Sequence, residues 1–414
     1  MPLGLIALAL GGFGIGLNEF VVTGLLPSMA TDFAVSPSTA GWIVTGYAFS
    51  VAIGAVAITS LVGHLPRKPV LLGLVVLFII GNVICALAPT FPIMLIGRVV
   101  AAMCQGAYYG IGAVVAGSLV APNKKAYAIA IMFTGLTVAN VLGVPMGTFI
   151  GLEYGWRATF WAISGIGVLA FGGIALAIPY QARSGGEGLR SELAAFKSAQ
   201  VWLSLALTAL TYGGLFGSFA YISYVLTDVS GFSSGTVPWL LVLLGVALFI
   251  GNLLGGKAAD KALDKTLTFL LVAIIIILVC FSLVASNPVA AVIALILMGG
   301  FGFGTIPGLQ MRVIKYAHDE SALVSGANIG AFNLGIGFGA WLGGLTIAAG
   351  LGYTSSIWSG APVVGLGLLA LIYARVLDRR TRKSPSRLVK VASSGGTAPT
   401  PTSDASVVTR STDS

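Results

Sequence analysis

The chain has 414 residues, of which 57% are hydrophobic and 8% are charged, with a mean hydropathy of +0.99 and a formal net charge of +9. Soluble globular proteins contain about 25% charged residues, so this composition excludes that class and indicates a polytopic membrane protein. The three cysteines, Cys85, Cys104 and Cys280, all lie in apolar stretches, which favours neither a disulfide framework nor a metal site.

Apolar runs of membrane-spanning length recur along the chain and predict twelve transmembrane helices. The first run lacks a basic leader and a cleavage-site pattern, so it predicts a retained helix rather than a signal peptide. The runs are apolar throughout instead of alternating, which excludes a transmembrane β-barrel. The fold class is therefore an all-α membrane protein. The predicted helices cover residues 3 to 26, 38 to 62, 69 to 88, 91 to 119, 126 to 150, 157 to 178, 200 to 226, 236 to 256, 266 to 286, 288 to 311, 322 to 348 and 356 to 377.

The first predicted helix contains an acid within the apolar stretch "GIGLNEFVVTGLLP". Glu19 is the one acid of 13 well inside a predicted span, and Arg98 of the fourth helix is the one basic residue so placed. Both lie about 10 Å below the outer surface at 1.5 Å per residue. A charge at mid-helix costs about 2.5–3.5 kcal/mol, so such residues line a cavity or find a partner. Two interpretations stay open, a proton-coupling pair and a static ion pair that pins the helices.

The basic residues predict the orientation of the helices. With the N-terminus inside, 20 of the 22 Lys and Arg residues fall on the inner side, and only Arg157 lies outside. Both termini are therefore predicted to be cytoplasmic, and the net charge reflects topology rather than nucleic-acid binding. Residues 378 to 414 are basic and then rich in Ser, Thr, Pro and Gly, which predicts a disordered cytoplasmic tail suited to contact with anionic lipid.

An internal repeat relates the two halves of the chain. A shift of 197 residues carries "TSLVGHLPRK" onto "GKAADKALDK", and it carries Gly143, Gly147 and Gly151 onto the small residues Ala340, Gly344 and Ala348. Small residues four apart are typical of closely packed membrane helices. The repeat predicts an N-terminal six-helix half at 1–178, a cytoplasmic central loop at 179–199 and a C-terminal six-helix half at 200–377, arranged as in a rocking transporter.

Several stretches resemble the major facilitator superfamily, and within it the twelve-helix drug:proton antiporters of the chloramphenicol-exporter and arabinose-efflux-like branch. They are "NEFVVTGLLPSMATDF", "GRVVAAMCQGAYYG", "ANVLGVPMG", "GWRATFW" and "ANIGAFNLGIGFGAWLGG". The resemblance implies two pseudo-symmetric halves, alternating access, a monomer, and protons and a small molecule as the transported species. It implies no cofactor, and in this family the first and fourth helices line the central cavity, where Glu19 and Arg98 would meet or share a water.

The resemblance also assigns motifs to this chain. "GVPMG" is similar to the antiporter motif, in which Gly143, Pro145 and Gly147 let the fifth helix bend and pack against its partner from the other half; a plain packing kink is the alternative. The loop motif after the second helix has Gly63 where the family carries an aspartate that locks the halves. Gating is then expected at the second-half copy, Asp260 and Lys261, while Arg67 and Lys68 are either gating or topogenic charges.

Polar or aromatic residues on the helices near the expected cavity are candidates for substrate binding, with interhelical hydrogen bonding as the alternative for each. They are Asn18, Tyr47, Gln105, Tyr108, Tyr109, Asn140, Tyr212, Phe216, Asn328 and Asn333. His64 and His318 lie in predicted cytoplasmic loops and are expected to be solvated.

The predicted function is proton-coupled efflux of small amphipathic molecules across the plasma or inner membrane, as in multidrug or chloramphenicol-type antibiotic resistance. With a single membrane acid, a permanently cationic drug would compete with the proton, which favours neutral or weakly charged substrates. Export of sugars or nucleosides and purines with the same fold is the alternative. An intramembrane enzyme would need a second acid, a histidine cluster or a serine–lysine pair at matching depth, and the predicted spans contain none of these.

Overall fold

The computed structural model describes residues 3–62, 65–121, 125–180, 195–317 and 322–383, and almost all of them are α-helical. The first half contains α1 (Leu3–Phe20, continuing as Val22–Asp32), α2 (Trp42–Val62), α3 (Arg67–Leu87), α4 (Phe91–Met103 and Gln105–Ser118), α5 (Lys125–Val138, a π-helical turn Ala139–Gly143, and Val144–Tyr154) and α6 (Trp156–Ala177). The second half contains α7 (Ala199–Ala220), α8 and α9 (together Val237–Val284), α10 (Pro288–Lys315), α11 (Ala322–Ala348) and α12 (Gly360–Lys383).

Ten helical segments of the described chain are long and apolar enough to cross a membrane. One of them holds α8 and α9, because Val237–Val284 has 48 residues, about 72 Å at 1.5 Å per residue, and Ala262 breaks it with φ −156° and ψ 72°. That length is more than twice a bilayer core of about 30 Å, so the segment crosses twice. The remaining apolar helix is α2, which has 21 residues. The prediction of twelve membrane helices is confirmed.

Short elements connect the membrane helices. Pro37–Ala40 precedes α2 and is capped by Ser36, whose side-chain oxygen accepts a hydrogen bond from the backbone N–H of Thr39 at 3.1 Å. Gly155 joins α5 to α6 with φ +84°, a conformation that glycine adopts without a steric penalty. The other short elements are Ala195–Lys197, Ile222–Tyr224, Val225–Val229, Ser234–Thr236 and Ser355–Trp358.

Helix pairing follows the internal repeat. In the first half α1 packs on α5 and α2 on α4; in the second half α7 packs on α11 and α8 on α10. The contacts between halves are also related, because α2 packs on α11 and α5 packs on α8. Glycines allow the close approaches: a Cβ at Gly135 of α5 would overlap the Ala9 carbonyl of α1, and one at Gly339 of α11 would overlap that of Gly213 in α7.

Large apolar side chains on the outside of the bundle are highly exposed, including Leu176 at 90%, Leu283 at 76% and Val289 at 71%. A surface of this kind is stable against lipid rather than water. Residues up to Ile372 form one compact unit. The second unit begins at Tyr373, and its described part is the end of α12, up to Lys383. Helix α12 ends at Lys383, six residues past its predicted end at residue 377, and the tail beyond it lies outside the described residues.

Candidate functional site

The site inside the first half lies beside local irregularities in two helices. Helix α1 is irregular at Val21, two residues after Glu19, and α4 is irregular at Cys104, directly before Gln105, but both residues keep right-handed helical backbone angles. Glu19, Asn18 and Gln105 are all buried here, with Glu19 only 8% exposed.

The Glu19 carboxylate is held by a neutral amide. Gln105 donates from Nε2 to Glu19 Oε2 at 2.9 Å, and the Tyr47 hydroxyl donates to Gln105 Oε1 at 2.8 Å. Asn18 in turn donates from Nδ2 to the Tyr47 hydroxyl at 3.5 Å. Three helices, α1, α2 and α4, therefore contribute to one chain of buried hydrogen bonds that ends on the carboxylate.

The same chain reaches Arg98, which is fully buried. Its Nη1 donates to the Asn18 carbonyl oxygen at 2.7 Å and to Asn18 Oδ1 at 2.9 Å, and its Nε donates to the Ile43 carbonyl oxygen at 3.3 Å. The guanidinium carbon lies 3.9 Å from the centre of the Tyr47 ring, a cation–π contact. Arg98 Nη2 has no hydrogen-bond partner among the described residues.

Glu19 and Arg98 therefore belong to one network, but they form no direct ion pair. The two ion pairs found in the described part of the chain are Asp32–Arg157 and Asp264–Arg312. A static Glu19–Arg98 bridge, one of the interpretations of the sequence, is absent from this arrangement. Arg98 contacts the Asn18 side-chain amide and the Tyr47 ring instead of the Glu19 carboxylate. Its Nη2 could still donate a hydrogen bond to another partner.

The second half carries no copy of this network. The shift of 197 residues places apolar residues at the positions of Asn18, Glu19, Tyr47, Arg98 and Gln105, namely Leu215, Phe216, Leu244, Leu295 and Gly302. Two of these equivalents lie next to each other, since a Cβ at Gly302 would lie 3.2 Å from the Leu215 side chain. The two halves share a fold, but the charges at Glu19 and Arg98 have no charged equivalents at these positions of the second half.

An aromatic cluster occupies the matching region of the second half. Tyr212 stacks on Phe216 with ring centres 5.5 Å apart and meets Phe332 edge-on at 4.5 Å. Phe216 also stacks on Phe219 at 5.1 Å and lies 6.0 Å from Phe20 of α1, the neighbour of Glu19. The aromatic cluster and the charged network therefore adjoin across the interface between the halves.

Several other predicted site residues make hydrogen bonds between or within helices. Tyr108 donates to the Leu8 carbonyl oxygen and Tyr109 to that of Gly12, both at 2.9 Å, which ties α4 to α1. Asn333 donates to the Ile329 carbonyl oxygen at 3.1 Å within α11. Asn140 lies in the π-helical turn of α5 and is partly exposed.

Asn328 belongs to a separate chain of hydrogen bonds, whose other members the sequence did not identify. Thr208 donates to Asn328 Oδ1 at 2.8 Å, Asn328 Nδ2 donates to Gln310 Oε1 at 2.6 Å, and Gln310 Nε2 donates to Ser325 at 2.6 Å. This chain links α7, α10 and α11. It uses both the oxygen and the nitrogen of the Asn328 amide.

The antiporter motif lies in the part of α5 that packs on both α1 and α8. Gly143 faces Phe13 and Leu17 of α1, and Gly147 faces Val21 of α1. The other half is contacted by the π-helical turn Ala139–Gly143 and by the segment Val144–Tyr154 that follows it, and a Cβ at Gly245 of α8 would lie 2.7 Å from the Asn140 carbonyl oxygen. Pro145 is the second residue of the helical segment after this turn, and because it lacks an N–H it cannot donate an α-helical hydrogen bond there.

The names outer end and inner end follow the predicted topology; Asp32 and Arg157 lie at the outer end, and Lys68 and Arg312 at the inner end. At the inner end, Lys68 donates to the Ala175 carbonyl oxygen at 2.7 Å, joining α3 to α6, and Arg67 begins α3. Asp260 and Lys261 are exposed and form no ion pair with any described residue. Gly63, His64 and His318 lie outside the described residues.

The sequence predicts that the tenth helix ends at residue 311, which leaves Arg312 in an inner loop; this is wrong, because the helix extends to Lys315. Arg312 lies in the last turn of α10, fully buried, and pairs with Asp264 at the start of α9. Arg312 Nη2 also donates to Gln200 Oε1 at 3.3 Å. The apolar pattern of α10 weakens before its last turn, so a hydropathy criterion ends the span too early. Asp264 lies four residues after Asp260, the acid that the sequence had singled out for gating.

The two halves meet closely at the outer end. Ser223 donates to the Thr23 carbonyl oxygen at 2.6 Å. The Tyr221 side chain lies between Gly41 and Gly344, since a Cβ on either glycine would overlap its hydroxyl. These two glycines come from different halves, so Tyr221 joins α2 to α11.

A bundle of twelve membrane helices in two related halves, with one buried charged network at mid-depth, is the architecture of a secondary transporter. The model of the Major Facilitator Superfamily matches residues 8–329, and the chain belongs to that family. It is thus a multi-pass membrane transporter of small molecules rather than an enzyme.

Similar proteins include the inner membrane transport protein YdhP of Escherichia coli, 40% identical over 365 residues, which cover 88% of this chain and 94% of YdhP. The chloramphenicol resistance protein of Streptomyces lividans is 31% identical over 89% of this chain and 95% of its own length. A probable sugar efflux transporter of Helicobacter pylori is 30% identical over 91% and 95%. The crystal structure of a D-xylose–proton symporter shares the fold, with a TM-score of 0.72, 15% identity, and coverage of 89% and 96%.

Proposed function

We propose that the protein is a proton-coupled exporter of small amphipathic molecules in the plasma or inner membrane, with Glu19 as its coupling carboxylate. The observation that carries the proposal is the buried carboxylate held by the neutral Gln105 amide, at one end of a network whose other end is Arg98. Both charges are buried, yet they are not paired in this arrangement. A carboxylate whose partner changes with conformation changes its proton affinity, and this is the requirement for a proton carrier.

The unpartnered Nη2 of Arg98 supplies the second partner in this scheme. When the halves rock, Glu19 leaves Gln105 for Arg98 in one state and returns in the other, so proton binding and the direction of opening are linked. A proton crossing 100 mV releases about 2.3 kcal/mol. At 1.4 kcal/mol per tenfold, that energy sustains roughly a fiftyfold gradient of a neutral substrate.

The aromatic cluster around Tyr212 and Phe216 supports amphipathic substrates with flat apolar parts, because aromatic rings stack favourably on such groups. Phe216 of this cluster contacts Phe20, the residue after Glu19, so a substrate bound at the cluster would lie close to Glu19. The similarity to a chloramphenicol resistance protein supports the same substrate class. One membrane acid shared between proton and substrate favours neutral or weakly charged molecules.

Sugar export is the second candidate. The amide chain through Asn328 and Gln310 offers the type of donors and acceptors that bind hydroxyl groups, and one group of relatives is named for sugar efflux. Both Asn328 polar atoms are already bonded to the protein, whereas the aromatic faces need no exchange of hydrogen bonds. The amphipathic class is therefore preferred.

The test begins with a panel of chloramphenicol, other uncharged antibiotics, sugars and nucleosides in an efflux-deficient host, with and without an uncoupler. The best substrate is then used with purified protein in liposomes, where substrate-induced proton release is recorded. We expect Glu19→Gln to bind substrate but release no protons, because glutamine keeps the shape and cannot ionise. Glu153→Gln, at an exposed acid in the same half, is the matched control and should behave as wild type. Wild-type proton release by Glu19→Gln would refute the role of Glu19.

A further inference from the structure

The second half carries an apolar groove on its outer surface that the transport scheme does not use. It has a volume of about 610 Å³ and lies between α8, α9 and α10. Its walls include the exposed side chains of Ile250, Leu254, Phe269 and Leu297. The groove is therefore open to the surroundings of the bundle rather than to its interior.

Glycines form the floor of the groove. Gly251 and Gly255 of α8 face Gly300 and Gly304 of α10, and a Cβ on either α8 glycine would overlap the facing carbonyl oxygen. The two helices therefore touch through their backbones and present no side chains that fill the space above the contact. The groove follows from this packing, because larger residues at these positions would both separate the helices and occupy it.

The groove has the length of one membrane leaflet. It runs along α8 from Ala247 near mid-span to Ala258 at the inner end, which is about 16 Å at 1.5 Å per residue. Half of a bilayer core is about 15 Å. A single extended hydrocarbon chain therefore fits the groove from the membrane surface to its midplane.

The polar end of the groove is cationic. Lys265 and Thr266 line it there, and the Thr266 hydroxyl already donates to the Ala258 carbonyl oxygen at 2.9 Å. Lys265 is exposed and forms no ion pair with any described residue, and Lys257 and Lys261 lie nearby in the chain. Juxtamembrane lysines on the inner side attract anionic lipids of the cytoplasmic leaflet.

We infer that this groove binds an anionic phospholipid of the inner leaflet, with one acyl chain along the glycine floor and the phosphate at Lys265. The lipid holds α8, α9 and α10 together. The inference does not depend on proton coupling or on the identity of the transported molecule.

Native mass spectrometry of the full-length protein tests the inference, with phosphatidylglycerol and phosphatidylcholine of identical acyl chains added at equal concentration. We expect the wild type to retain phosphatidylglycerol preferentially. Lys265→Gln should lower its apparent affinity about fivefold, since one lysine near the membrane surface contributes about 1 kcal/mol. Ala258→Phe, which fills the inner end of the groove from an exposed position, should lower retention of both lipids.

Lys257→Gln is the matched control, because this exposed lysine lies at the inner end of α8 and does not line the groove. Equal loss of phosphatidylglycerol in Lys257→Gln and Lys265→Gln would show only a diffuse charge effect and would overturn the site. Displacement of the lipid by glycerol phosphate would show that the site binds only the phosphate group and that the groove holds no acyl chain, which would also overturn the inference. A dimer mass that Ala258→Phe abolishes, or a transported drug that competes with the lipid, would assign the groove to a second copy of the chain or to substrate.

Discussion

Tyr47 connects the two charged residues of the site through both parts of its side chain. Its hydroxyl bonds to Gln105 and Asn18, and its ring lies under the Arg98 guanidinium. The network therefore depends on a residue without charge. Glu19 and Arg98 do not touch, so the contacts that connect them run through Gln105 and Tyr47.

Tyr47→Phe should disturb the coupling while leaving the fold intact. The substitution keeps the ring at Arg98 and leaves the Gln105 oxygen without its donor, at a cost of about 1 kcal/mol. That energy corresponds to about 0.7 pH unit, so the pH midpoint of efflux should move by roughly that amount. Tyr108→Phe removes a hydroxyl that bonds only to the Leu8 backbone and is the matched control. Identical pH profiles for the two variants would argue against a connected network.

Asp32 at the outer end should make a small contribution to stability that depends on pH. Its carboxylate pairs with Arg157 at 2.6 Å and accepts from Trp156 Nε1 at 3.2 Å, and the hydrogen bond from Arg157 lowers the pKa of Asp32 below its ordinary value of 3.8. A lowered pKa means that the stabilisation is present above pH 3.8 and is lost as the pH falls through the folded value. Both side chains are partly exposed, so the pair is worth at most about 1 kcal/mol.

Asp32→Asn should therefore lower the apparent melting temperature in detergent by a few degrees at pH 7, and the difference from wild type should shrink as the pH approaches 4 and below. Glu153→Gln, at an exposed acid also in the outer part of the first half, should show no such difference. A gap between Asp32→Asn and wild type that stays constant with pH would contradict the ionic origin of the effect.

At the scale of helices, the outer contact between halves depends on two glycines. Tyr221 is buried between Gly41 and Gly344, and its hydroxyl has no hydrogen-bond partner among the described residues. The contact is thus one of shape rather than of hydrogen bonding. Opening the outer end requires the Tyr221 side chain to leave at least one of these glycines.

Gly344→Ala should favour outward opening, because its new methyl group overlaps the Tyr221 hydroxyl and overpacking costs about 1–3 kcal/mol. The distance between spin labels on the outer ends of α1 and α7 should shift toward longer values. Gly46→Ala is the control, since a Cβ at that position of α2 meets no atom within 4 Å. Tyr221→Phe should stay close to wild type. An unchanged distance distribution in Gly344→Ala would show that the glycine is not needed for closure.

At the scale of the whole molecule, the topology rests on the distribution of basic residues. Their concentration on one side of the twelve helices predicts that both termini are cytoplasmic. Reporter fusions at each terminus, one active only in the cytoplasm and one only outside it, measure this directly. We expect a cytoplasmic result at both ends. An external C-terminus would contradict an even number of crossings.

The sequence alone determined the twelve helices, the family and the presence of two membrane-embedded charges, Glu19 and Arg98, both of which are buried. Membrane crossing depends on local apolar length, and a charge in such a stretch is conspicuous without any structure. The repeat also predicted two related six-helix halves, because small residues recur at matching positions when the chain is shifted by 197 residues.

Tertiary structure decided which atoms meet. Glu19 contacts Gln105 instead of Arg98, the motif glycine Gly143 faces its own half, and Arg312 is a buried partner of Asp264. Each of these depends on how the helices rotate about their axes and where they end, as α10 does at Lys315. Apolar residues cover nearly every face of these helices, so the sequence carries little amphipathic pattern from which those rotations can be deduced.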